Sequence, residues 1–412
     1  MKILFINISD VIGGSAIAAT RLGSGLEKYC HTDNYFVVRT KRSDKPNVFA
    51  TRQNGFDQSF ERWFNVFSNA LGLQYQYLPV SPKIIRQKVK ELKPDIISLH
   101  NTLGGYFETP MIAELSKQAP IVWTMHDMWT FTGNSAHTFG DESWKEMKNS
   151  RSNAKSFPAL GINTGSFLLR QKKRIYAASN VSFVAPSKWL YNLAIQSPVL
   201  EGREVRHIFN GLDLEIFSPM DKARAREELN IPREAKTLMF SAEKLSKNIY
   251  KGGRDLIQIL KLIGSMAKTE IHLLILGLGE IEEISELKNF RIHSAGYVQD
   301  EVKMRLCLSA ADMLVFPTKA DNLSNALVEA VSCGTPAITF DIGGCGEIIK
   351  DNISGRLIKP FDLNDFAEKT VRLLFDETRL QELSGSARAY AAENFSLKDM
   401  SRKYFELFSS HY

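Results

Sequence analysis

The residues best suited to chemistry lie in one segment, Ala320–Gly346, which reads ADNLSNALVEAVSCGTPAITFDIGGCG. Two carboxylates, Asp321 and Glu329, stand eight positions apart in this segment, and short polar side chains follow the first of them. Carboxylates accept hydrogen bonds, and short polar residues commonly begin helices. Because the N–H groups at the start of a helix bind phosphate, the spacing favours a site for a ligand that carries phosphate.

The surrounding sequence predicts the elements that would position these groups. The apolar run Met313–Phe316 predicts a buried parallel strand, and the apolar residues that continue to Val331 predict a helix. Gly334 and Pro336 would end that helix. Asp321 would then lie at the carboxyl end of a strand, where open α/β sheets bind ligands. The alternative is an acid that only caps an ordinary helix, since Asp is common at that position.

The whole block, with the SCGTPAITFDIGG that ends it, resembles the acid-x7-Glu signature of retaining, nucleotide-sugar-dependent glycosyltransferases of family 4. The resemblance implies that Asp321, which replaces the family's usual Glu, contacts the donor sugar, and that Glu329 binds the nucleotide ribose. It also implies that backbone N–H groups of Leu323, Ser324 and Asn325 bind the diphosphate. The implied fold is α/β of the GT-B type, with two Rossmann-like, doubly wound parallel-sheet domains facing a cleft.

A lysine is expected to complete the diphosphate site. Lys251-Gly252-Gly253 resembles the family's Lys-Gly pair at the start of a helix, which implies that the ammonium of Lys251 binds the diphosphate and offsets the charge of the leaving group. The family usually has an arginine a few residues earlier. This chain has Lys244 there, which would supply a point charge without bidentate geometry. The plain alternative for Lys251 is a solvated lysine at a helix start.

Two segments near the N-terminus resemble further parts of the family's site. Gly13-Gly14, at the first strand–helix turn, resembles the loop between donor diphosphate and acceptor, where glycine lets the backbone approach a ligand. In VWTMHDMWTFTG, the resemblance implies that His126 reaches the donor sugar, because imidazole can hydrogen-bond a hydroxyl near neutral pH. Asp127 would orient that ring or cap the next segment. Ordinary packing is the alternative for both, since glycines are common at such turns and histidines at strand ends are often buried.

Strand and helix patterns alternate along the chain and restart after Asn210-Gly211, which predicts mostly parallel sheets in two domains. We expect an N-terminal acceptor-binding domain over 1–208 and a C-terminal donor-binding domain over 209–395. By resemblance, a last helix at about 396–412 packs back on the first domain. Strands are predicted at Ile3–Ile6, Tyr35–Val38, Ile96–Leu99, Ile121–Thr124, Phe183–Ala185, Thr237–Ser241, Ile271–Leu276, Gly296–Val298, Met313–Phe316, Ala337–Phe340 and Gly355–Ile358.

Charge is distributed unevenly along the chain. Residues 1–205 carry 25 Lys and Arg against 16 Asp and Glu, a net charge of +9, whereas the whole chain has +6. Basic residues cluster at Lys83–Lys93 and Arg170–Arg174. These clusters predict either a solvated helix face or a contact with anionic lipid or an anionic acceptor. No nucleic-acid-binding motif accompanies them, so nucleic acid is not an expected partner.

Neither a metal nor a cofactor is expected. The four cysteines lie far apart without C-x-x-C spacing, which favours free thiols in a reducing compartment, and the sequence contains no Asp-x-Asp. The nucleotide sugar would be a co-substrate rather than a cofactor. MKILFINISD reads as a first strand rather than a secretory signal, and no window approaches 18 consecutive apolar residues. We therefore expect a cytoplasmic protein, with peripheral contact at the inner face of the cytoplasmic membrane.

The resemblance implies retaining transfer of a sugar from a nucleotide sugar to a hydroxyl of a glycan or lipid-linked oligosaccharide, in polysaccharide or capsule biosynthesis. Two other classes remain open. One is a nucleotide-sugar epimerase with the same two-domain architecture, against which the acid-x7-Glu block argues. The other is a non-catalytic carbohydrate- or partner-binding protein derived from a transferase, which the substituted Asp321 and the missing arginine leave open.

Overall fold

The computed structural model describes residues 1–52, 54–150, 152, 155–241, 249–277, 284 and 287–411. Its internal contacts divide the chain into two units. The N-terminal unit comprises Met1–Asn210 together with Lys398–Tyr412, and the C-terminal unit comprises Gly211–Leu397.

The N-terminal unit is built on a parallel sheet of seven described strands in the order β3-β2-β1-β4-β5-β6-β7. Its central strands are continuous apolar runs that are buried along their whole length, as a sheet covered on both faces requires. The strand order reverses between β1 and β4, which makes their carboxyl ends the switch point of this sheet. The strands are β1 Lys2–Ser9, β2 Asp33–Thr40, β3 Val48–Ala50, β4 Ile96–Leu99, β5 Ile121–Thr124, β6 Val181–Ala185 and β7 Val205–His207.

Helices cover this sheet, and the last helix of the chain belongs to the same unit. The hydroxyls of Tyr404 and Thr124 lie 2.8 Å apart, and His411 Nε2 lies 2.9 Å from Ser182 Oγ, so both contacts tie the final helix to strands β5 and β6. The helices are α1 Gly14–Cys30, α2 Gly55–Ala70, α3 Ser81–Leu92, α4 Met111–Leu115, α5 Gly165–Ala177, α6 Lys188–Ala194 and the final helix, α14, Leu397–Ser409.

The C-terminal unit repeats this plan with a parallel sheet of six described strands in the order β10-β9-β8-β11-β12-β13. Its switch point lies between β8 and β11. The strands are β8 Lys236–Ser241, β9 Ile271–Leu276, β10 Phe290–Gly296, β11 Met313–Phe316, β12 Ala337–Phe340 and β13 Gly355–Ile358, and the helices are α7 Lys222–Glu228, α8 Gly253–Met266, α9 Glu301–Ala310, α10 Asn325–Ser332, α11 Cys345–Ile348, α12 Leu363–Leu374 and α13 Glu377–Asn394.

One strand was predicted at the wrong position, and two of the described strands were not predicted. The strand expected at Gly296–Val298 is β10, which ends at Gly296, where the backbone turns to a φ of 67°. Strand β10 is an edge strand that is exposed along much of its length, so apolar and polar residues mix in it and weaken the sequence signal. Strands β3 and β7 are edge strands of three residues each, too short to show a periodic pattern.

The basic cluster Arg170–Arg174 is not a uniform surface, which corrects the prediction for Lys172. Lys172 is buried, and its Nζ donates hydrogen bonds to the carbonyl oxygens of Trp129 and Thr132 at 2.5 and 2.9 Å. Arg170 and Arg174 are exposed on the same helix. Lys172 points inward because it lies on the face of α5 that carries the buried residues Leu168, Leu169 and Tyr176.

Candidate active site

Two of the predicted site residues are in direct contact in the C-terminal unit. Lys251 Nζ lies 2.6 Å from Asp321 Oδ2, within hydrogen-bond and ion-pair distance. Lys251 follows β8 and Asp321 follows β11, so the pair sits at the switch point of the sheet. The ammonium also lies 5.5 Å from the centre of the Phe316 ring, which gives the cation an aromatic neighbour. Opposite charges are thereby concentrated where such sheets bind ligands.

Backbone contacts hold the segments that carry this pair. The carbonyl oxygen of Tyr250 accepts hydrogen bonds from Lys319 N at 2.7 Å and from Thr318 Oγ1 at 2.9 Å. Lys319 Nζ also pairs with Asp255 of α8 at 3.0 Å. Contacts before and after Lys251 in the chain therefore hold the turn Ile249–Lys251 against the loop that follows β11.

Glycines permit the close approach of these loops. Gly252 has a φ of +67°, and a Cβ there would lie 1.9 Å from the carbonyl oxygen of Pro317. Gly343, in the loop after β12, has a φ of +59°, and a Cβ there would lie 1.9 Å from the carbonyl oxygen of Asp321. An L side chain would clash at either position, so both glycines are needed for the geometry around Asp321.

The polar residues between the two acids begin helix α10. Ser324 is its N-cap, and the Ser324 side chain accepts a hydrogen bond from Leu327 N. Leu323 and Ser324 are buried, at 7% and 4% exposure. Asn325 is the first residue of the helix, and Glu329, which is 6% exposed, lies one turn further along. A helix start of this kind presents backbone N–H groups and a positive dipole end, which suits an anion.

A second cluster of predicted residues lies at the carboxyl ends of β1, β4 and β5 in the N-terminal unit. His126 follows β5, and its Nε2 lies 3.0 Å from Nδ1 of His100, which follows β4. His100 Nε2 in turn lies 3.2 Å from Ser98 Oγ. One proton lies between the two imidazoles, so the tautomer of His100 sets that of His126. Nδ1 is then the ring nitrogen through which His126 could contact a ligand.

Burial keeps this histidine pair neutral. It lowers the pKa of His126 to about 4 and the pKa of His100 well below its usual range. Burial also raises the pKa of Asp127 to about 6, and Asp127 Oδ1 accepts a hydrogen bond from Trp129 N at 2.8 Å. Of the two roles predicted for Asp127, the structure therefore favours capping the turn Trp129–Phe131, whereas the ring of His126 is oriented by His100.

Gly13 and Gly14 form the turn between β1 and α1. Gly13 is the N-cap of α1 with a φ of +93°, and a Cβ built there would meet no described atom within 4 Å. Backbone conformation, rather than crowding, is thus the reason for glycine at this position. The loops that carry Gly13, His100 and His126 leave three neighbouring strands at the same edge of the sheet.

No role was predicted for His100 from the sequence. The signal was the parallel order of β4 and β5, which places the residues after the two strands side by side. Lys244 was predicted to bind the donor, but it lies outside the described residues.

A separate cavity of about 500 Å³ lies at the amino ends of the C-terminal strands, away from Asp321. Several of its charged groups form ion pairs with one another. Asp312 pairs with Lys222 at 2.7 Å and with Arg226 at 2.9 Å, and Lys236 pairs with Glu377 at 2.6 Å. These ion pairs connect the segments that line the cavity, which favours a structural role over ligand binding.

The described residues contain neither a metal-binding cluster nor a membrane-spanning helix. Their His, Cys, Asp and Glu side chains include no cluster of three or more that could bind a metal ion. None of the described helices has both the length and the apolar character needed to cross a bilayer.

Comparison with known proteins identifies the C-terminal part of the chain. Residues 235–376 match the family described as glycosyl transferases group 1. The match includes Lys251 and the whole segment Asp321–Glu329, and it confirms the predicted resemblance to family 4 glycosyltransferases.

Similar curated proteins are named as glycosyl transferases or as a glucosaminyl synthase. The chain is 25% identical over 279 residues to the colanic acid biosynthesis glycosyl transferase WcaC of Escherichia coli, which covers 65% of this chain and 64% of WcaC. It is 24% identical over 409 residues to the N-acetyl-alpha-D-glucosaminyl L-malate synthase of Bacillus anthracis, covering 95% and 93% of the two chains. The chain spans less than two thirds of the first curated relatives it matches, 64% of WcaC and 45% of D-inositol 3-phosphate glycosyltransferase 2 of Catenulispora acidiphila.

Solved structures confirm the predicted fold. The chain matches Anabaena HepE in complex with UDP-glucose with a TM-score of 0.69 at 16% identity, over 100% of both chains. It matches WaaG, a glycosyltransferase involved in lipopolysaccharide biosynthesis, with a TM-score of 0.66 at 14% identity, over 98% of this chain and 99% of that one. Together with the two parallel sheets, these matches identify the fold as GT-B.

Proposed function

We propose that this chain is a retaining glycosyltransferase that moves a sugar from a nucleotide-sugar donor to a hydroxyl of a glycan or lipid-linked acceptor in polysaccharide biosynthesis. The observation that carries the proposal is the contact of Lys251 with Asp321 at 2.6 Å, beside the start of the helix that bears Glu329. This arrangement joins a cation, a helix N-terminus and two carboxylates at the switch point of one sheet. The similarity to WcaC and to the malate synthase supports the same class.

The donor would be held by the C-terminal unit. Lys251 and the first backbone N–H groups of helix α10 would bind the diphosphate, and Glu329 would accept hydrogen bonds from the ribose hydroxyls. Asp321 would accept hydrogen bonds from hydroxyls of the donor sugar. In the N-terminal unit, neutral His126 would hydrogen-bond a sugar hydroxyl, and the Gly13–Gly14 turn would approach the ligand through its backbone.

The reaction would exchange one bond of the sugar for another. The bond between C1 of the sugar and the diphosphate oxygen breaks, and a bond from C1 to the acceptor oxygen forms on the same face. The proton of the acceptor hydroxyl passes to the departing phosphate. Lys251 and the helix N-terminus would stabilise the charge that develops on the diphosphate, which is why we propose a reaction without a metal ion or other cofactor.

Incubating the protein with a panel of nucleotide sugars tests the class of function. A transferase should slowly hydrolyse one donor to free nucleoside diphosphate, and that donor should raise the melting temperature as its concentration rises. Formation of an epimerised nucleotide sugar would instead indicate an epimerase. Neither turnover nor stabilisation by any donor would indicate a non-catalytic binding protein. The family match favours the first outcome.

Replacing Glu329 tests the predicted ribose contact. Glu329→Ala should weaken binding of the nucleoside diphosphate that the panel identifies by roughly 1.5–3 kcal/mol, the contribution of hydrogen bonds to a charged group. Isothermal titration calorimetry measures the change. Glu368→Ala, an exposed carboxylate on α12 of the same unit, is the matched control and should bind normally. Unchanged affinity in a folded Glu329→Ala protein would remove Glu329 from the site.

A peripheral contact with anionic membrane, on the cytoplasmic face, is part of the proposal. It rests on the net charge of +9 carried by residues 1–205. In the cluster Lys83–Lys93, two of the five basic residues pair with acids: Lys88 contacts Glu91 at 2.7 Å, and Arg86 contacts Glu108 and Glu114. The exposed lysines of this cluster and the exposed arginines of α5 are the candidates for lipid contact.

A further inference from the structure

The outer face of helix α2 is a stripe of exposed aromatic side chains. Phe56, Phe60, Trp63 and Phe67 are 76%, 41%, 63% and 50% exposed. Their spacing of four, three and four residues places them along one side of the helix. They stack in pairs, with ring centres 6.0 Å apart for Phe56 and Phe60 and 5.7 Å apart for Trp63 and Phe67. We call these four residues the aromatic face.

The opposite side of α2 is firmly attached to the N-terminal unit. Glu61 is fully buried and accepts hydrogen bonds from Arg52 Nε at 2.7 Å and from Ser81 N at 2.8 Å. Ser68 Oγ donates to the carbonyl oxygen of Leu73 at 2.6 Å. Since these contacts fix the rotation of the helix about its axis, the aromatic face is held outward by the fold.

A neighbouring segment extends the apolar surface. The amide N–H of Ile162 donates to the carbonyl oxygen of Ala70 at 3.1 Å, which places the segment beside the last turn of α2. Ile162 is 56% exposed, and Leu71 and Phe167 are 43% and 45% exposed. Apolar surfaces of this extent are uncommon on proteins that stay alone in water and mark an interaction site.

Exposed arginines border this surface, and the segment that includes Ile162 and Phe167 is rich in basic residues. Arg62 lies on α2, and Arg170 and Arg174 follow Phe167 by one and two turns of α5. Between Glu146 and Glu201 the sequence contains eight Lys and Arg and no Asp or Glu. The surface thus combines aromatic side chains with a positively charged border.

We propose that the aromatic face and its arginine border dock the protein on the interface of an anionic lipid bilayer. Trp and Phe are favoured at the boundary between headgroups and acyl chains, and Arg is attracted to anionic headgroups. A second copy of the chain is the less suitable occupant, because a symmetric pairing would bring two positively charged borders together. The proposal extends the membrane contact of the proposed function and assigns it to specific side chains.

Co-sedimentation with vesicles tests the docking surface. We expect the wild-type protein to bind vesicles of phosphatidylcholine and phosphatidylglycerol and to bind pure phosphatidylcholine much less. Phe60→Ser, Trp63→Ser and Phe67→Ser together should lower binding at least tenfold, and they change exposed residues only. The control is Phe361→Ser with Phe375→Ser, two residues of the C-terminal unit that are 57% and 41% exposed and should leave binding unchanged. Equal binding by the triple variant and the wild type would overturn the proposal.

Tryptophan fluorescence supplies an independent readout. Of the five tryptophans, Trp123, Trp129 and Trp144 are each at most 3% exposed and Trp189 is half-buried, whereas Trp63 is 63% exposed. Vesicles should therefore shift the emission to shorter wavelength through Trp63, and Trp63→Phe should abolish the shift while the protein still co-sediments. A shift that persists in Trp63→Phe would contradict insertion of this face.

The charged border is tested by Arg170→Glu with Arg174→Glu, which should lower binding to anionic vesicles and reduce its sensitivity to salt. If the double arginine variant binds vesicles more weakly but the aromatic triple variant binds normally, the protein contacts the membrane through its arginines and not through the aromatic face. If the wild-type protein forms dimers in solution, the triple variant is monomeric and vesicle binding is unchanged, the occupant of this surface is a second copy of the chain.

Donor hydrolysis in solution is measured on the same variants and should not change. If neither the wild type nor any variant hydrolyses a donor, the result contradicts the proposed transferase and leaves the docking surface unaffected.

Discussion

At the residue scale, the Lys251–Asp321 pair gives the proposed site its electrostatic character. The side chains are 30% and 13% exposed, so the ion pair is partly shielded from water. A carboxylate placed against the cation that should bind diphosphate reduces the net positive charge there. Asp321 is therefore expected to serve the sugar rather than to tighten nucleotide binding.

Replacing Asp321 should separate catalysis from nucleotide binding. Asp321→Asn removes the charge and keeps the size, so we expect turnover to fall on the order of 100-fold, as for the loss of one preorganised transition-state contact. Affinity for the nucleoside diphosphate should stay the same or rise, because Lys251 loses its competing partner. Steady-state kinetics and calorimetry on the same preparation measure the two effects. Normal turnover in this variant would limit Asp321 to its structural contact with Lys251.

The half-buried His126 should make stability depend on pH in a defined direction. Its pKa is about 4 in the folded protein and near 6.5 when unfolded, so the unfolded chain binds an extra proton between those values. The free energy of unfolding therefore decreases as the pH falls from about 6.5 towards 4. His126→Gln removes this contribution and should lose less stability between pH 7 and pH 5 than the wild type, by on the order of 1 kcal/mol.

Denaturant unfolding at several pH values measures this difference. The control is His31→Asn, an exposed residue in the left-handed conformation that Asn tolerates, and it should follow the wild-type pH dependence. Parallel curves for His126→Gln and the wild type would show that His126 is not held neutral by burial.

At the scale of elements, glycines set the separation of the loops that carry the site. Gly252→Ala would place a Cβ 1.9 Å from the carbonyl oxygen of Pro317 and impose a φ that alanine rarely adopts. We expect a loss of stability of about 1–3 kcal/mol and, because Lys251 is the preceding residue, weaker nucleotide binding. Gly385→Ala is the matched control. Gly385 lies in helix α13 with no described atom within 4 Å of a Cβ, so the substitution should be neutral or stabilising.

Thermal unfolding and calorimetry distinguish the two variants. A Gly252→Ala protein with wild-type stability and affinity would show that the turn before α8 adapts to a side chain. It would also weaken the argument that this turn fixes the position of Lys251.

The elements that the sequence predicted best are the fully buried strands. Ile96–Leu99, Met313–Phe316 and Ala337–Phe340 have the predicted bounds, because each is a fully buried, mostly apolar run that is followed by polar or turn residues. Edge strands such as β10 are partly exposed and lack that signal. Local pattern thus identifies the centre of each sheet better than its edges.

The contacts of the candidate site depend on more than local pattern. Lys251 and Asp321 were each predicted to bind the donor, but they are 70 positions apart, and only the folded sheet shows that they touch. The contact between His100 and His126 was missed for the same reason. The aromatic stripe of α2 is visible in the sequence, yet such a stripe is usually buried, and only the structure shows that it faces outward.

At the scale of the molecule, each unit has its own sheet, its own switch point and its own cluster of candidate residues. The groups suited to an anionic nucleotide lie in the C-terminal unit, where Lys251 stands beside the start of α10. The excess of positive charge lies instead in the N-terminal half of the chain, where the aromatic face is found. Donor binding and lipid docking are thereby assigned to different units.

Hydrogen exchange should show this division directly. Adding the nucleoside diphosphate should slow amide exchange in the C-terminal unit at 249–253 and 321–329, because ordered ligand contacts suppress local opening of these loops. Amides of α2 should exchange at unchanged rates, and Glu329→Ala should lose the protection in proportion to its lost affinity. Mass spectrometry of peptic fragments resolves these segments. Protection confined to the N-terminal unit would move the nucleotide site away from Lys251 and Asp321 and would contradict the proposed assignment of donor binding.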